Sequence, residues 1–258
     1  MRPFLPRPFL PRLPVLAALL ACTLAAPALA EGPAAMTEAE RTAFRAEVKA
    51  YLLENPEVLV EAMNVLQDRQ AQAEQATDKQ LVTDHKADLF ADKASWVGGN
   101  PDGDVTVVEF MDNRCGYCRK AYQEVEDLVK ADGNIRLVLK EYPILGEDSV
   151  TSARFAIAVL QLHGNDAYKK AHDALITLRG APDAETLGRL ATDLGFEPKP
   201  VLDRMASDEV SSVIAANQEL GTKMQISGTP TFVIDSQMLR GYVPLDGMQQ
   251  IVASERKS

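Results

Sequence analysis

Residues 105–130 read "VTVVEFMDNRCGYCRKAYQEVEDLVK" and decide the fold. The run from Val105 to Met111 is β-branched and apolar except for Glu109, which predicts a strand buried on both faces. Apolar residues then recur at helical spacing, at Ala121, Val125, Leu128 and Val129. The segment Cys115-Gly116-Tyr117-Cys118 is therefore expected where a strand ends and a helix begins.

The order of the remaining segments predicts an α/β fold. "IRLVLKEYPI" at 135–144 is the next strand, and a right-handed crossover should make it parallel to the first. Residues 148–221 have the pattern of helices throughout. "TPTFVID" at 229–235 and "MLRGYV" at 238–243 predict two more strands, before a closing helix. The predicted order is β-α-β, a helical insertion, and β-β-α.

The first 30 residues have the pattern of a cleavable signal peptide. Arg2, Arg7 and Arg12 precede an apolar stretch that ends in Ala28-Leu29-Ala30, a small-x-small cleavage pattern. We expect the exported chain to begin near Glu31 and to reside in the periplasm. The alternative is lipoprotein processing that acylates Cys22, but the sequence disfavours it because Leu20 fits that pattern poorly.

Charge and cysteine content restrict the class of protein. The formal net charge is −10, and removal of three arginines and no acid with residues 1–30 makes it −13. An acidic surface argues against nucleic acid or anionic membrane as the main partner. Cys115 and Cys118 are the cysteines that remain, in a compartment that permits disulfides. Their spacing closes too small a loop to stabilise a fold much.

Residues 31–66 are predicted to form a helical oligomerisation segment. Thr37 and Glu40 fit a capping box, and two short amphipathic helices follow, separated at Asn55-Pro56. So short a segment has too little apolar surface to fold alone, which favours self-association over folding back on the rest of the chain. Residues 67–94 begin as a wholly polar helix and are expected to form a solvated helical linker.

The cysteine pair fits redox chemistry better than metal binding. Amides at a helix N-terminus stabilise a thiolate, so Cys115 would be the nucleophile and Cys118, one turn on, the resolving cysteine. Zinc would need two more ligands, and His85, His163 and His172 are scattered. We expect these histidines to face solvent or cap helices, and Trp96 to lie in the core.

The chain resembles the DsbA family of thiol-disulfide oxidoreductases in the thioredoxin superfamily. The resemblance covers residues 95–258 and is carried by "VVEF", "CGYC", "KEYPIL" and "GTPTFVI" in that order. It implies an α/β thioredoxin fold with a helical insertion at about 147–222, preceded by an α-helical N-terminal extension. It also implies no cofactor beyond the redox-active Cys115–Cys118 disulfide.

The resemblance assigns roles to residues outside the motif. Thr229-Pro230 matches the family's cis-proline dipeptide, which faces the disulfide, and the backbone of Thr229 would pair with an extended substrate. Glu109 matches a buried acid beneath the resolving cysteine, which could accept its proton. Lys140 occupies the position of the family's partner to that acid.

Three residues around the nucleophile should tune its redox potential. Gly116 and Tyr117 form the dipeptide between the cysteines, and Tyr117 cannot supply the positive charge of a histidine. Arg114 compensates in part as a nearby cation. We therefore expect a less oxidising protein than an enzyme with a C-P-H-C motif.

The segment "FRAEVKAYLLENPEVLVEAMNVLQ" resembles the N-terminal part of a narrower group, the suppressor-of-copper-sensitivity C proteins and related α-proteobacterial DsbA-like enzymes. This resemblance implies a homotrimer and a role in copper tolerance. The predicted function is a periplasmic protein-disulfide isomerase or reductase that acts on exported proteins and is kept reduced by a membrane partner. The alternatives are a DsbA-like oxidase, and a copper protein that holds Cu(I) at Cys115 and Cys118.

Overall fold

The computed structural model describes residues 36–257. These residues divide into two compact units, the first ending at Ala62 and the second beginning at Met63. The predicted signal peptide and Cys22 lie outside the described residues.

The N-terminal unit contains α1 (Glu38–Glu54) and the beginning of α2 (Glu57–Asp84). The predicted capping box is present, with Thr37 Oγ1 accepting from the Glu40 amide at 3.3 Å and the Thr37 amide donating to Glu40 Oε2 at 2.8 Å. No residue of α1 is buried. The apolar side chains of this unit stay exposed, among them Phe44, Val48, Tyr51, Leu53, Leu59 and Val60.

The C-terminal part of α2 corrects the prediction of a solvated linker over 67–94. Asp78 and Val82 are buried, and Arg240 donates to Asp78 Oδ1 at 2.6 Å. The short helix α3 (Lys86–Phe90) buries Leu89 completely. The helix continues as predicted, but its last two turns belong to the second unit and pack within it through Asp78 and Val82.

Five strands form one sheet in the order β1-β3-β2-β4-β5. They are β1 (Trp96–Gly99), β2 (Val105–Met111), β3 (Ile135–Glu141), β4 (Thr231–Ile234) and β5 (Gln237–Arg240). β2 and β3 are parallel, as predicted, and the other pairs are antiparallel. The edge strand β1 was not predicted, because its Gly-Gly ending resembles a turn.

The helical insertion is present and the sheet separates two apolar cores. The insertion consists of α5 (Glu147–His163), α6 (Asn165–Thr177), α7 (Ala184–Asp193), α8 (Pro198–Met205) and α9 (Asp208–Lys223). With α4 (Gly116–Asp132) and α10 (Leu245–Glu255), it covers the sheet face that carries Val107 and Leu137. The opposite face, with Val108 and Val138, packs on α2, α3 and α9.

Trp96 lies in the larger core, as expected. Its ring stacks on Tyr168 at 5.6 Å between centroids, and its Nε1 donates to the Asn165 carbonyl at 2.9 Å. These contacts join β1 to α6 of the insertion. Between residues 36 and 257, no helix is both long and apolar enough to cross a membrane.

Candidate functional site

The cysteine pair lies at the junction of β2 and α4. Cys115 is the N-cap residue of α4, and Cys118 lies in its first turn. Both cysteines are free thiols; Cys118 is fully buried and Cys115 is 7 % exposed. The sequence predicted this placement because a buried strand ends at Met111 and the helical pattern starts directly after the motif.

The two thiols differ strongly in acidity. The pKa of Cys115 is lowered to about 5, chiefly because the Cys118 thiol donates a hydrogen bond to its thiolate. The amides of Tyr117 and Cys118 also donate to it, as expected at a helix N-terminus. The same hydrogen bond, together with burial, raises the pKa of Cys118. The pair therefore combines a ready nucleophile with a thiol that must lose a proton before it reacts.

A second segment approaches Cys115 from β4. The Thr229–Pro230 peptide bond is cis, as the resemblance implied, and directly precedes β4. Because β4 is antiparallel to β2, with Thr231 opposite Phe110, this turn lies beside the end of β2. Cys115 Sγ lies 3.1 Å from the Thr229 carbonyl oxygen, to which it donates a hydrogen bond when it is protonated.

Glu109 lies below the resolving cysteine. It is buried on the face of β2 that packs against α4, and it lines the same small cavity as Cys118. Burial raises the pKa of its carboxyl to about 8, and the negative charges of Cys115 and Glu126 add to the effect. A carboxyl with this pKa can exchange a proton near neutral pH.

Lys140 is not the partner of Glu109, which corrects the expectation drawn from the resemblance. Successive strand residues point to opposite faces, and Lys140 pairs with Phe110, one position beyond Glu109. Its Nζ donates to Asp92 Oδ2 at 2.7 Å and to Ser95 Oγ at 3.3 Å. Lys140 therefore belongs to the opposite side of the sheet from the thiols.

The residues around the motif have distinct environments. Tyr117 is 63 % exposed, and a Cβ added at Gly116 would meet no atom within 4 Å. The Arg114 guanidinium donates to the Leu178 carbonyl at 3.3 Å and lies 3.6 Å from Asp148 Oδ2. Both positions of the dipeptide are thus open to substitution without a clash.

Arg119 is a cation near the thiols that the sequence did not single out. Its Nε donates to the Asn113 carbonyl at 3.1 Å, and its Nη2 donates to the Leu178 carbonyl at 3.0 Å. Burial lowers the pKa of its guanidinium, while the charge of Cys115 acts in the opposite direction. Its position one helical turn after Cys115 is the feature of the sequence that could have identified Arg119 as a cation near the thiols.

Glu141 is a second buried acid that sequence analysis missed. The Tyr168 hydroxyl donates to its Oε1 at 2.7 Å, and Asn113 Nδ2 donates to its Oε2 at 3.0 Å. Burial raises its pKa to about 8. It lies two positions after Leu139 in β3, and Leu139 pairs with Glu109, so Glu141 is on the same face of the sheet as Glu109. The two hydrogen bonds of Glu141 link Asn113, in the loop before Cys115, to Tyr168 in α6 of the insertion.

His172 departs from the expectation that the three histidines face solvent or cap helices. It is 5 % exposed, whereas His163 is exposed. Burial lowers the pKa of His172 to about 4. Its spacing from Tyr168, Leu175 and Ile176 matches one face of a helix, and all three are buried. That periodicity was the signal that would have placed it inside.

The family is established by a match over more than half of the chain. Residues 106–253 match the model of the DSBA-like thioredoxin domain. The chain belongs to the DsbA-like thioredoxin family. Residues 40–73 match a second model, the copper resistance protein ScsC N-terminal domain. The redox-active cysteine pair of this family needs no metal. Among residues 36–257, no group of three or more His, Cys, Asp or Glu side chains is arranged so that it could hold a metal ion.

Solved structures support the assignment to the DsbA-like family. A thioredoxin-like oxidoreductase from Silicibacter pomeroyi is 40% identical with a TM-score of 0.63, and the match covers 67% of this chain and 98% of that one. Salmonella enterica Typhimurium BcfH is 29% identical with a TM-score of 0.70, covering 83% and 95%. Proteus mirabilis ScsC in a transitional conformation is 25% identical with a TM-score of 0.63, covering 87% and 99%.

Curated relatives include a protein of similar size and a much longer one. Disulfide bond formation protein D of Bacillus subtilis is 23% identical over 177 residues, which cover 64% of this chain and 78% of the relative. The Na(+)/H(+) antiporter NhaA 1 of Salinispora arenicola is 29% identical over 163 residues, or 61% of this chain. This match spans 24% of the length of the antiporter.

Proposed function

We propose that this DsbA-like oxidoreductase is a periplasmic protein-disulfide isomerase or reductase that uses Cys115 as nucleophile and Cys118 as resolving cysteine. The observation that carries the two cysteine roles is their difference in position: Cys115 caps α4 with its Sγ 3.1 Å from the Thr229 carbonyl oxygen, whereas Cys118 is fully buried one turn on. The lowered pKa of Cys115 and the raised pKa of Cys118 agree with this difference. At neutral pH the reduced protein therefore has a Cys115 thiolate that attacks disulfides, while Cys118 stays protonated until it resolves the mixed disulfide.

The reaction begins at the Cys115 thiolate. It attacks one sulfur of a substrate disulfide, forming a mixed disulfide while the other substrate sulfur leaves as a thiolate. In isomerisation, a different substrate thiolate attacks the mixed disulfide and regenerates Cys115. In reduction, Cys118 loses its proton to Glu109 and attacks Cys115, which releases the second substrate thiolate and leaves the Cys115–Cys118 disulfide. A membrane redox partner would supply the electrons that reduce this disulfide again.

The turn at Thr229-Pro230 would bind the substrate. Pro230 is buried, whereas Thr229 is partly exposed and has its carbonyl 3.1 Å from the nucleophilic sulfur. A substrate strand that pairs with the backbone of Thr229 would bring its disulfide to Cys115 largely without regard to side-chain sequence. This mode of binding suits an enzyme that acts on many exported proteins.

Self-association would distinguish an isomerase from a monomeric oxidase. The apolar residues of α1 and early α2 line an open groove, formed by Phe44, Val48, Leu52, Leu53 and Leu59. No residue of α1 is buried within the chain, so this apolar surface is available to copies of the same segment. Assembly, as a trimer in our proposal, would let several thiolates face one substrate and raise their effective concentration.

The oxidase alternative uses the same residues in the opposite direction. A stabilised Cys115 thiolate favours the reduced protein, which makes its disulfide more oxidising. The uncharged Tyr117 works against a strongly oxidising potential.

Copper binding is a candidate of another class. It is favoured by the match of residues 40–73 to a copper resistance domain and by two free thiols that are soft ligands for Cu(I). A thiol pair of this kind would bind copper whether or not copper is its physiological ligand. Loss of Cys118 separates the two functions, because the remaining Cys115 accumulates mixed disulfides with client proteins only if the protein carries out disulfide exchange.

The deciding experiment combines a refolding assay with molar mass. The exported protein is purified, and its reduced form is incubated with a substrate that contains scrambled disulfides. Isomerase activity together with an oligomeric mass would support the proposal. A monomer that oxidises reduced substrates and leaves scrambled ones unchanged would show the oxidase. The Cys115→Ser variant is the control for exchange that does not depend on the site.

A further inference from the structure

A small cavity lies under Cys118, between β2, α4 and α6. Its volume of about 10 Å³ is close to the space that one water molecule needs. Its ionisable lining residues are Glu109, Cys118, Tyr122, Glu126 and His172, and apolar side chains complete the wall. A polar cavity of this size is a site where one buried water is expected.

His172 lines this cavity and carries a buried nitrogen without a hydrogen-bond partner among residues 36–257. Its ring is 5 % exposed and packs against Tyr122 at 5.6 Å and Tyr168 at 6.0 Å between centroids. Its Nδ1 is buried without a hydrogen-bond partner among residues 36–257. Such an atom is costly to bury unless a water completes its hydrogen bond. Since burial lowers the ring's pKa to about 4, the imidazole is neutral at pH 7.

Glu126 connects the cavity to solvent. Its side chain is 33% exposed, and Lys169 Nζ lies 3.3 Å from its Oε1. Glu109 is buried, so a proton that it takes from Cys118 needs a route to the surface. Glu109 and Glu126 both line this cavity.

We propose that His172 is a positioning residue that holds a water molecule between Glu109 and Glu126, and that this water carries the proton of Cys118 to the surface. This proposal rests on the proposed role of Glu109. Glu109 takes the proton from Cys118 Sγ and passes it to the water, and the water releases a proton to Glu126 and then to solvent. The Cys118 thiolate uses its freed electron pair to bond Cys115, and the substrate sulfur leaves as a thiolate.

Two substitutions of His172 separate proton transfer from packing. His172→Phe keeps an aromatic ring and removes both nitrogens, whereas His172→Asn loses the ring but keeps a polar atom near the Nδ1 position. If only the packing of the ring matters, His172→Phe closes the Cys115–Cys118 disulfide faster than His172→Asn. If the bound water matters, His172→Asn closes it faster. His163→Phe is the matched control, because His163 is exposed and stacks on Phe196 at the far end of α5.

The two chemical steps are followed separately. Reduced protein is mixed with glutathione disulfide, quenched with acid and alkylated, so that mass distinguishes the mixed disulfide from the Cys115–Cys118 disulfide. We expect His172→Phe to slow closure of the Cys115–Cys118 disulfide on the order of 10-fold, which is less than the ~10²–10⁴-fold contribution of a general acid or base itself because His172 acts through the water. D₂O should also lower the closure rate of His172→Phe more than it lowers the closure rate of the wild type. His172→Asn should recover most of the rate, and the first step should stay unchanged because Cys115 does not line the cavity.

The outcomes separate this proposal from the proposed function. Normal closure in His172→Phe, or slower closure in His172→Asn than in His172→Phe, would overturn the relay. If Glu109→Gln slows closure while His172→Phe does not, only the relay is wrong. If Glu109→Gln is also normal, the role of Glu109 is wrong, and a wild type that forms no mixed disulfide contradicts the proposed function. Glu126→Gln, a change at a part-exposed site, tests the same route if His172→Phe does not fold.

Discussion

The Sγ atom of Cys115 lies 3.1 Å from the carbonyl oxygen of Thr229. The two residues are 114 positions apart, and the antiparallel pairing of β4 with β2 brings them together. This contact places the nucleophile beside the Thr229-Pro230 turn, where the proposed substrate strand would pair. It also makes the site a product of two chain segments that are separated by the whole helical insertion.

Removal of the Cys118 thiol should make Cys115 less acidic. The hydrogen bond from Cys118 is the main cause of the low Cys115 pKa, so Cys118→Ala should raise that pKa above about 5. The same variant should accumulate mixed disulfides with substrates, because no resolving thiol remains. Alkylation rate as a function of pH measures the first effect, and non-reducing electrophoresis measures the second. An unchanged pKa would show that the helix amides alone stabilise the thiolate.

Replacement of Glu109 should change the pH dependence of stability. A carboxyl whose pKa rises from 4.5 to about 8 on folding binds its proton more tightly when folded. Its contribution to stability is therefore complete below pH 4.5 and is lost as the pH rises towards 8. Glu109→Gln should become more stable than the wild type over this range, by at most about 1.4 kcal/mol per pH unit. Urea unfolding of the reduced proteins at several pH values measures this difference. The prediction is contradicted if the free energy of unfolding depends on pH in the same way in both proteins.

Histidine at position 117 should make the protein more oxidising. Tyr117 is exposed, so an imidazole fits there and its cation would stabilise the Cys115 thiolate. We expect Tyr117→His to lower the Cys115 pKa and to raise the reduction potential by on the order of 30 mV, a tenfold change in equilibrium. Equilibration with glutathione measures the potential. Tyr117→Phe, which adds no charge, should remain near the wild-type value.

Charges on the apolar groove of the N-terminal unit should prevent self-association. Phe44 and Leu59 are both more than half exposed and line this groove. The double variant Phe44→Glu and Leu59→Glu should sediment as a single chain, because assembly would bury the added carboxylates. The control is Gln72→Glu on the polar part of α2, which should keep the wild-type mass. If the wild type is already monomeric, the trimer is ruled out.

Removal of Lys140 should affect stability and leave the redox site unchanged. Lys140 is fully buried and pairs with Asp92 on the sheet face opposite Glu109. Lys140→Met removes the cation beside the part-buried Asp92 carboxylate, which keeps its hydrogen bonds from Ser95 and Ala94, so the expected cost is about 1–3 kcal/mol. The double variant Lys140→Met and Asp92→Asn should recover part of this loss. Thermal unfolding measures the stability of both variants. A change in the Cys115 pKa would show that Lys140 does influence the redox site.

Local patterns predicted much of the fold and the centre of the site. The β-branched run of β2, the helical spacing after Cys118 and the apolar insertion each specify an element through nearby residues. The sequence could not show that Lys140 and Glu109 lie on opposite faces of the sheet. That outcome depends on the register of β3 against β2, where a shift of one residue reverses every side chain.

By itself, the sequence determined the motif at the start of α4 and the family to which the chain belongs. Local residue order controls where a strand ends and where helix amides become free to stabilise Cys115. Only the tertiary structure decided which polar groups lie under Cys118. Glu109, Glu126 and His172 come from β2, α4 and α6, and they meet because these elements pack around one cavity. Their chemistry depends on burial and mutual distance, which arise when distant segments are brought together.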